Sequence, residues 1–201
     1  MPLKKIKHTY RHARYVFYKE TLVDFKEHFW AFIGSFFGLG TITFLQYKAF
    51  APQDVVLLIG SFGASCVLVY GVIMSPLAQP RNLMGGHVIS ALIGVTIQKL
   101  LPETVWIAAP LAVSLSIILM QITKTLHPPG GATALIAVTG SEQIKELGYM
   151  YVLSPVLSGA LILLIAALIF NNIHRHRQYP SPQAVKNIKL YGRRIKRLVR
   201  R

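Results

Sequence analysis

Six apolar stretches set the limits on what this chain can fold into: residues 29–47, 54–74, 84–99, 104–124, 129–140 and 149–171. A helix that crosses a bilayer needs about 20 predominantly apolar residues and rarely fewer than about 17. By that rule the third stretch is marginal and the fifth is too short. Backbone groups in lipid have no water to bond to, so irregular or shortened segments are tolerated only where protein or a cavity covers them. The expected fold is therefore all-α: a polytopic membrane helical bundle with short broken helices.

Charge divides the chain in the same way. Of 22 Lys and Arg, seven lie in residues 1–28 and ten in residues 171–201, so the net charge of +15 describes the ends rather than the middle. We read residues 1–28 as a basic amphipathic interfacial segment, 29–171 as the transmembrane domain and 172–201 as a basic cytoplasmic tail. Ile6, Tyr10, Ala13 and Phe17 recur at helical spacing in the first block, and Val185, Ile188, Tyr191, Ile195 and Leu198 do so in the last. Six crossings with both termini inside place Arg81 and Lys124 in cytoplasmic loops that contain no acid. Asp54, Glu103, Glu142 and Glu146 then all fall outside, as the positive-inside tendency favours. The expected partners of the ends are anionic headgroups, not nucleic acid, and the expected location is the inner or plasma membrane. Cys66 stands alone, so no internal disulfide exists.

The segment His127 to Gly140, HPPGGATALIAVTG, is a proline-paired turn that runs into a short apolar helix. Pro128 and Pro129 fix φ and end any helix arriving from Lys124, and they can open a new one. Gly130 and Gly131 leave the first turn approachable, and a helix start of this kind favours an anion. The alternative is a tight turn at the membrane surface. Ser90 to Val95 reads against Thr133 to Val138 at an offset of 43, and each follows a Gly pair, a His and a basic residue: Arg81, Gly85, Gly86 and His87 in one case, Lys124, His127, Gly130 and Gly131 in the other. This predicts two hairpin repeats whose broken helices start from the same side, where transporters place substrate. Coincidence of small residues is the competing explanation, and Gly34-x-x-x-Gly38 reads as a helix contact.

Ser61 and Ser65 bring hydroxyls to membrane depth within GSFGAS, as helix packing or as pore lining. Arg81, in SPLAQPRN, is either a membrane anchor or an anion clamp. His87 and His127 either carry protons or cap backbone groups. No carboxylate accompanies them, so neither a metal nor any other cofactor is expected. No carboxylate pair and no local nucleophile–base spacing argue for an enzyme; only Ser61, Ser65 and His127, if brought together, would supply such chemistry.

GSFGASCVL, SPLAQPRN, GGH and HPPGGATAL, in this order from Gly60 to Leu135, resemble the HPP family of integral membrane proteins, with Cys66 where a small Ala-like residue is expected. The family is described with four spans, against the six apolar stretches counted here. The resemblance implies transport of nitrite; the residues themselves argue only for a small inorganic anion. The expected function is thus a nitrite transporter, oligomeric and not an enzyme, binding its anion among Ser61, Ser65, Arg81, Gly85, Gly86, His87, Lys124, His127, Pro128, Pro129, Gly130 and Gly131. Accumulating a monovalent anion against an inside-negative potential costs about 2.3 kcal/mol per 100 mV, so proton coupling through His87 and His127 is expected. An anion channel, a membrane sensor or scaffold, and a membrane-embedded enzyme are the alternatives.

Overall fold

The computed structural model describes residues 25–49, 59–184 and 186. The expected amphipathic faces at residues 6–17 and 185–198 lie outside these, apart from the backbone at Lys186. Among the described residues there is no strand. Helix α1 is Phe25–Ala49; α2 is Gly60–Cys66, continued by a π-helical turn at Val67–Gly71; α3 is Pro80–Leu100; α4 is Val105–Ile122. Then come α5, Pro128–Thr139, the short α6, Glu142–Glu146, a π-helical stretch at Val152–Leu157 and α7, Ser158–Phe170.

Four of these segments are long and apolar enough to cross a membrane: Phe25–Lys48, Pro80–Leu100, Val105–Ile122 and Val152–Phe170. The count of four and the count of six are both visible, because α2 and α5 are short apolar helices set among the four long ones. The marginal third stretch gains a full turn at its start. Gln79 is extended and Pro80 takes the first helical position, where its missing N–H would have had no partner anyway. The Gln79 side chain fixes that start, donating to the carbonyls of Ile73 at 2.9 Å and Ser75 at 2.8 Å. The last span is broken near its top: Ser154 leaves helical geometry at φ −138° and ψ 123°, as the residue before Pro155 tends to do.

Helices α3, α4 and α5 pack on one another, with α3 against α5 the most extensive contact; α1 packs on α7, and α2 bridges to α5. Close approach depends on small residues. A Cβ on Gly94 would lie 2.7 Å from the Ala134 carbonyl, and one on Gly130 would lie 2.8 Å from Ser90 Oγ.

The start of α1 and the segment after α7 meet at one end of the bundle, where Arg177 pairs with Glu27 and donates to the Tyr70 carbonyl and Asn171 Oδ1, each at 2.8 Å. Burial pulls the Arg177 guanidinium below its ordinary value, while the charge and hydrogen bond of Glu27 act against that. Packing continues past residue 172: Arg177, Tyr179 and Ser181 are all buried. Tyr179 donates to the Ala78 carbonyl at 2.8 Å and Ser181 N–H to Gln79 Oε1 at 2.8 Å, which ties this segment to the start of α3. Burial also raises the Tyr179 phenol above its usual value. At the opposite end Thr96 meets Tyr149 at 3.1 Å and the Lys99 ammonium lies over the Tyr149 ring. The chain thus starts α1 and leaves α7 at the same end, as an even number of crossings requires.

Candidate functional site

The polar residues of α2, α3 and α5 converge in the interior. Ser65 Oγ stands 2.7 Å from His87 Nε2 and 3.0 Å from His127 Nε2, so one hydroxyl bridges two imidazoles whose ring centres are 5.0 Å apart. His127 Nδ1 faces the Leu77 carbonyl at 2.9 Å. A carbonyl only accepts, so that nitrogen carries a proton. His87 Nδ1 lies 2.7 Å from Thr133 Oγ1, which donates to Ser61 Oγ at 2.9 Å. Ser61, Ser65, His87, His127 and Thr133 are all fully buried, and Phe62 closes the His87 ring edge-on at 5.5 Å.

The helix frame explains the meeting. His127 is the residue before the two prolines, with extended backbone at φ −141° and ψ 103°, and its side chain turns inward over Gly86. Gly86 and Gly130 are required here by contact: a Cβ on Gly86 would fall on His127 Cβ, and one on Gly130 would sit 2.9 Å from the Gly86 carbonyl. Gly85 faces Thr125 in the same way.

The expected pair of Gly-opened helix starts is therefore corrected. Gly85 and Gly86 lie in the second turn of an unbroken α3, because Pro80 begins that helix earlier, and their backbone N–H groups are inside the helical ladder. At α5, Pro128 and Pro129 have no N–H, and the Gly130 N–H is used by the His127 carbonyl at 2.8 Å. Gly131 faces Val113 of α4 at ordinary contact distance and not the histidines. No two-hairpin repeat is shown either: α3 is 21 residues and continuous, α5 only 12.

Arg81 and Lys124 lie apart from this network, at the end of the bundle. Arg81 donates to the Thr123 carbonyl at 2.6 Å, placing its positive charge where the partial negative charge of the α4 C-terminus collects. Asn82 donates to the Leu126 carbonyl at 2.7 Å. Together they hold the segment that leads into His127. A cavity of about 420 Å³ opens beside them, lined by Arg81, Lys124, Asn82, Gln79 and Ser181 among others, with no carboxylate among its described lining residues. Sequence reasoning missed Thr133, Asn82 and Arg177. Thr133 carried a signal, as a polar residue in a short apolar helix six positions after His127; Arg177 was hidden among the basic residues of the expected tail.

Chemically, a hydroxyl held between two imidazole nitrogens can pass protons or act as a nucleophile with a base beside it. Full burial of all three groups favours the first. The transmembrane region of the HPP family matches residues 20–180. The chain belongs to the HPP family. Two relatives carry the match further: a transmembrane protein of Dictyostelium discoideum is 49% identical over 160 residues, covering 78% of this chain and 56% of its own length. A second transmembrane protein of the same organism is 46% identical over 160 residues, covering 78% of this chain and 51% of its own. The chain spans about half the length of these curated relatives. No solved structure matches it. Family membership and the four long apolar helices make it an integral membrane protein.

Proposed function

We propose that this HPP protein moves a small inorganic anion across its membrane, with nitrite as the leading substrate. The observation that carries the reading is the cavity of about 420 Å³ at the Arg81 end, which brings Arg81 and Lys124 together with amide and hydroxyl groups and has no acid among its described lining residues. Such a mouth attracts anions and repels metal cations. It also adjoins the segment that leads into the buried histidines, since two of its lining residues, Arg81 and Asn82 of α3, donate to the carbonyls of Thr123 and Leu126 there. Nitrite in particular comes from the family resemblance. The reading includes a homo-oligomer and both basic ends on the cytoplasmic face of the membrane.

The test is uptake of nitrite by liposomes containing the purified full chain, with nitrate and formate as competitors and protein-free liposomes as the reference. Uptake above the reference that falls several-fold in Arg81→Gln supports the reading, since Gln keeps a donor for the Thr123 carbonyl while removing the charge. Flux equal to that of protein-free liposomes for all three anions overturns it. Flux that follows voltage and ignores a pH gradient identifies a channel instead.

A further inference from the structure

Two imidazoles share one serine hydroxyl, and the proton inventory of that arrangement is informative. His127 Nδ1 holds a proton for the Leu77 carbonyl, and Thr133 gives its own to Ser61. With Thr133 so oriented, His87 Nδ1 must be the donor at their 2.7 Å contact. Both Nε2 atoms of neutral rings then present lone pairs to Ser65 Oγ, whose single proton also has the Ser61 carbonyl in reach at 3.1 Å. At least one histidine contact lacks a proton. Adding one proton to either ring completes the set: the imidazolium Nε2–H donates to Ser65 Oγ, and the serine donates to the other ring. The network therefore gains its full set of histidine hydrogen bonds by taking up one proton.

We propose that His87, Ser65 and His127 form a proton relay that takes up one proton and passes it between the two imidazoles through the Ser65 hydroxyl. The transfer balances. His127 Nε2–H gives its proton to Ser65 Oγ as Ser65 gives its own to His87 Nε2, so the serine is unchanged and the charge has moved from one ring to the other. Neither ring has to move, because both contacts are at hydrogen-bond distance. The two rings also face different parts of the bundle. His127 bonds toward Leu77, in the loop before α3 near the Arg81 end, and His87 toward Thr133 and Ser61. In the role of coupling element the relay rests on the anion-transport reading: one proton with one monovalent anion moves no net charge, so the membrane potential neither drives nor opposes the pair.

The surroundings suit a proton site. From α2, Cys66 and Tyr70 are the other titratable groups, and from the stretch before α7 Tyr151 donates to the Thr133 carbonyl at 3.1 Å. Arg81 of α3 and Lys124 lie at one end of the bundle and Lys99 of α3 at the other, and α4, α5 and α7 carry no ionisable side chain. The described carboxylates, Glu27, Glu103, Glu142 and Glu146, lie in the first turn of α1, the α3–α4 loop and α6. Among the described residues, the interior groups that take up a proton near neutrality are therefore the two imidazoles.

Two measurements on the full chain test this. First, ¹⁵N NMR of ring-labelled histidine in detergent should show Nδ1–H at both rings in the neutral protein, with an Nε2 proton gained on acidification, assigned by His87→Gln and His127→Gln. Ser65→Ala should uncouple the rings, so that proton uptake at one no longer shifts the Nε2 signal of the other. Nε2–H at either ring of the neutral protein, or no change in Ser65→Ala, overturns the relay. Second, in liposomes with a trapped pH dye, nitrite uptake should acidify the lumen beyond the protein-free control and should rise as external pH falls. Ser65→Ala, confirmed folded, should lose most of the nitrite-driven acidification. Nitrite uptake by the wild type without proton movement overturns the relay while leaving anion transport standing. Absence of any anion flux overturns the transport reading instead, and the tautomers then decide the relay alone.

Discussion

The ring of Tyr70 lies directly on Gly34 of α1, where a Cβ would come within 2.6 Å of its Cδ1, and its hydroxyl passes over Gly38 to donate to the Leu163 carbonyl of α7 at 3.0 Å. One phenol thus holds α1, α7 and the turn after α2 together, in a seat that two glycines leave open.

Gly34→Ala and Gly38→Ala should each destabilise the bundle by about 1–3 kcal/mol, the usual cost of overpacking a fitted contact. Gly40, with nothing within 4 Å of a Cβ, is the control. Gly40→Ala should be neutral or stabilising by up to about 1 kcal/mol, the helix-propensity difference. Thermal unfolding in detergent reads the contrast, and equal effects at all three positions would contradict the packing assigned to Tyr70.

The two glycines after the prolines should behave differently. A Cβ on Gly130 meets Ser90 Oγ at 2.8 Å and the Gly86 carbonyl at 2.9 Å, whereas one on Gly131 meets only Val113 at 3.8 Å. Gly130→Ala should push α5 away from α3 and weaken both stability and transport; Gly131→Ala should leave both near wild type. Gly131→Asp is a poor probe of anion binding, because it would set a carboxylate against α4 at membrane depth at a cost of about 2.5–3.5 kcal/mol. Gly131→Ala with lost transport and intact folding would restore Gly131 to the anion path.

Two ion pairs of the bundle should differ in weight. Arg177 is 3% exposed and bonds to Glu27, Tyr70 and Asn171, so Arg177→Met leaves a carboxylate and three further acceptors, the Glu27 and Tyr70 carbonyls and Asn171 Oδ1, without their donor. A loss of about 3 kcal/mol is expected, the lower end for breaking a buried pair because Glu27 keeps some water. Arg177→Lys should recover only part, since an ammonium lacks the planar fork that reaches all three. Lys145 and Glu142 are a more exposed pair three residues apart, and Lys145→Met should cost less than about 1 kcal/mol. Chemical unfolding of the four proteins side by side decides this.

Truncation separates a transporter from a scaffold that works through its basic tail. Because Tyr179 and Ser181 are seated against Ala78 and Gln79, a cut at residue 180 would disturb the start of α3 as well as remove charge. The informative cut follows Lys186. Removing residues 187–201 should leave nitrite flux within about twofold, a difference of about 0.4 kcal/mol. Loss of flux in a folded truncated protein would assign the tail a working role.

How much of this was legible in the chain follows from what each signal measures. Length and apolarity are read against the bilayer, so the long helices at Phe25–Ala49, Pro80–Leu100, Val105–Ile122 and Val152–Phe170, the shortness of α5 and the break at Pro128-Pro129 were open to the sequence alone. Acids and bases in the loops likewise gave the shared end of α1 and α7. What only the tertiary structure decided is which faces meet. Helices in lipid are apolar all round, so periodicity does not say where Ser65 points, and its partners His87 and His127 lie 22 and 62 residues away. The same holds for Gly85 and Gly86, which looked like a helix start and are a seat for Thr125 and His127, because Pro80 had begun the helix before them. Arg177 was read as one more tail charge. Its burial is fixed by Glu27, 150 residues earlier, a pairing that local sequence carries no trace of because it is made only when the two ends of the bundle close on each other.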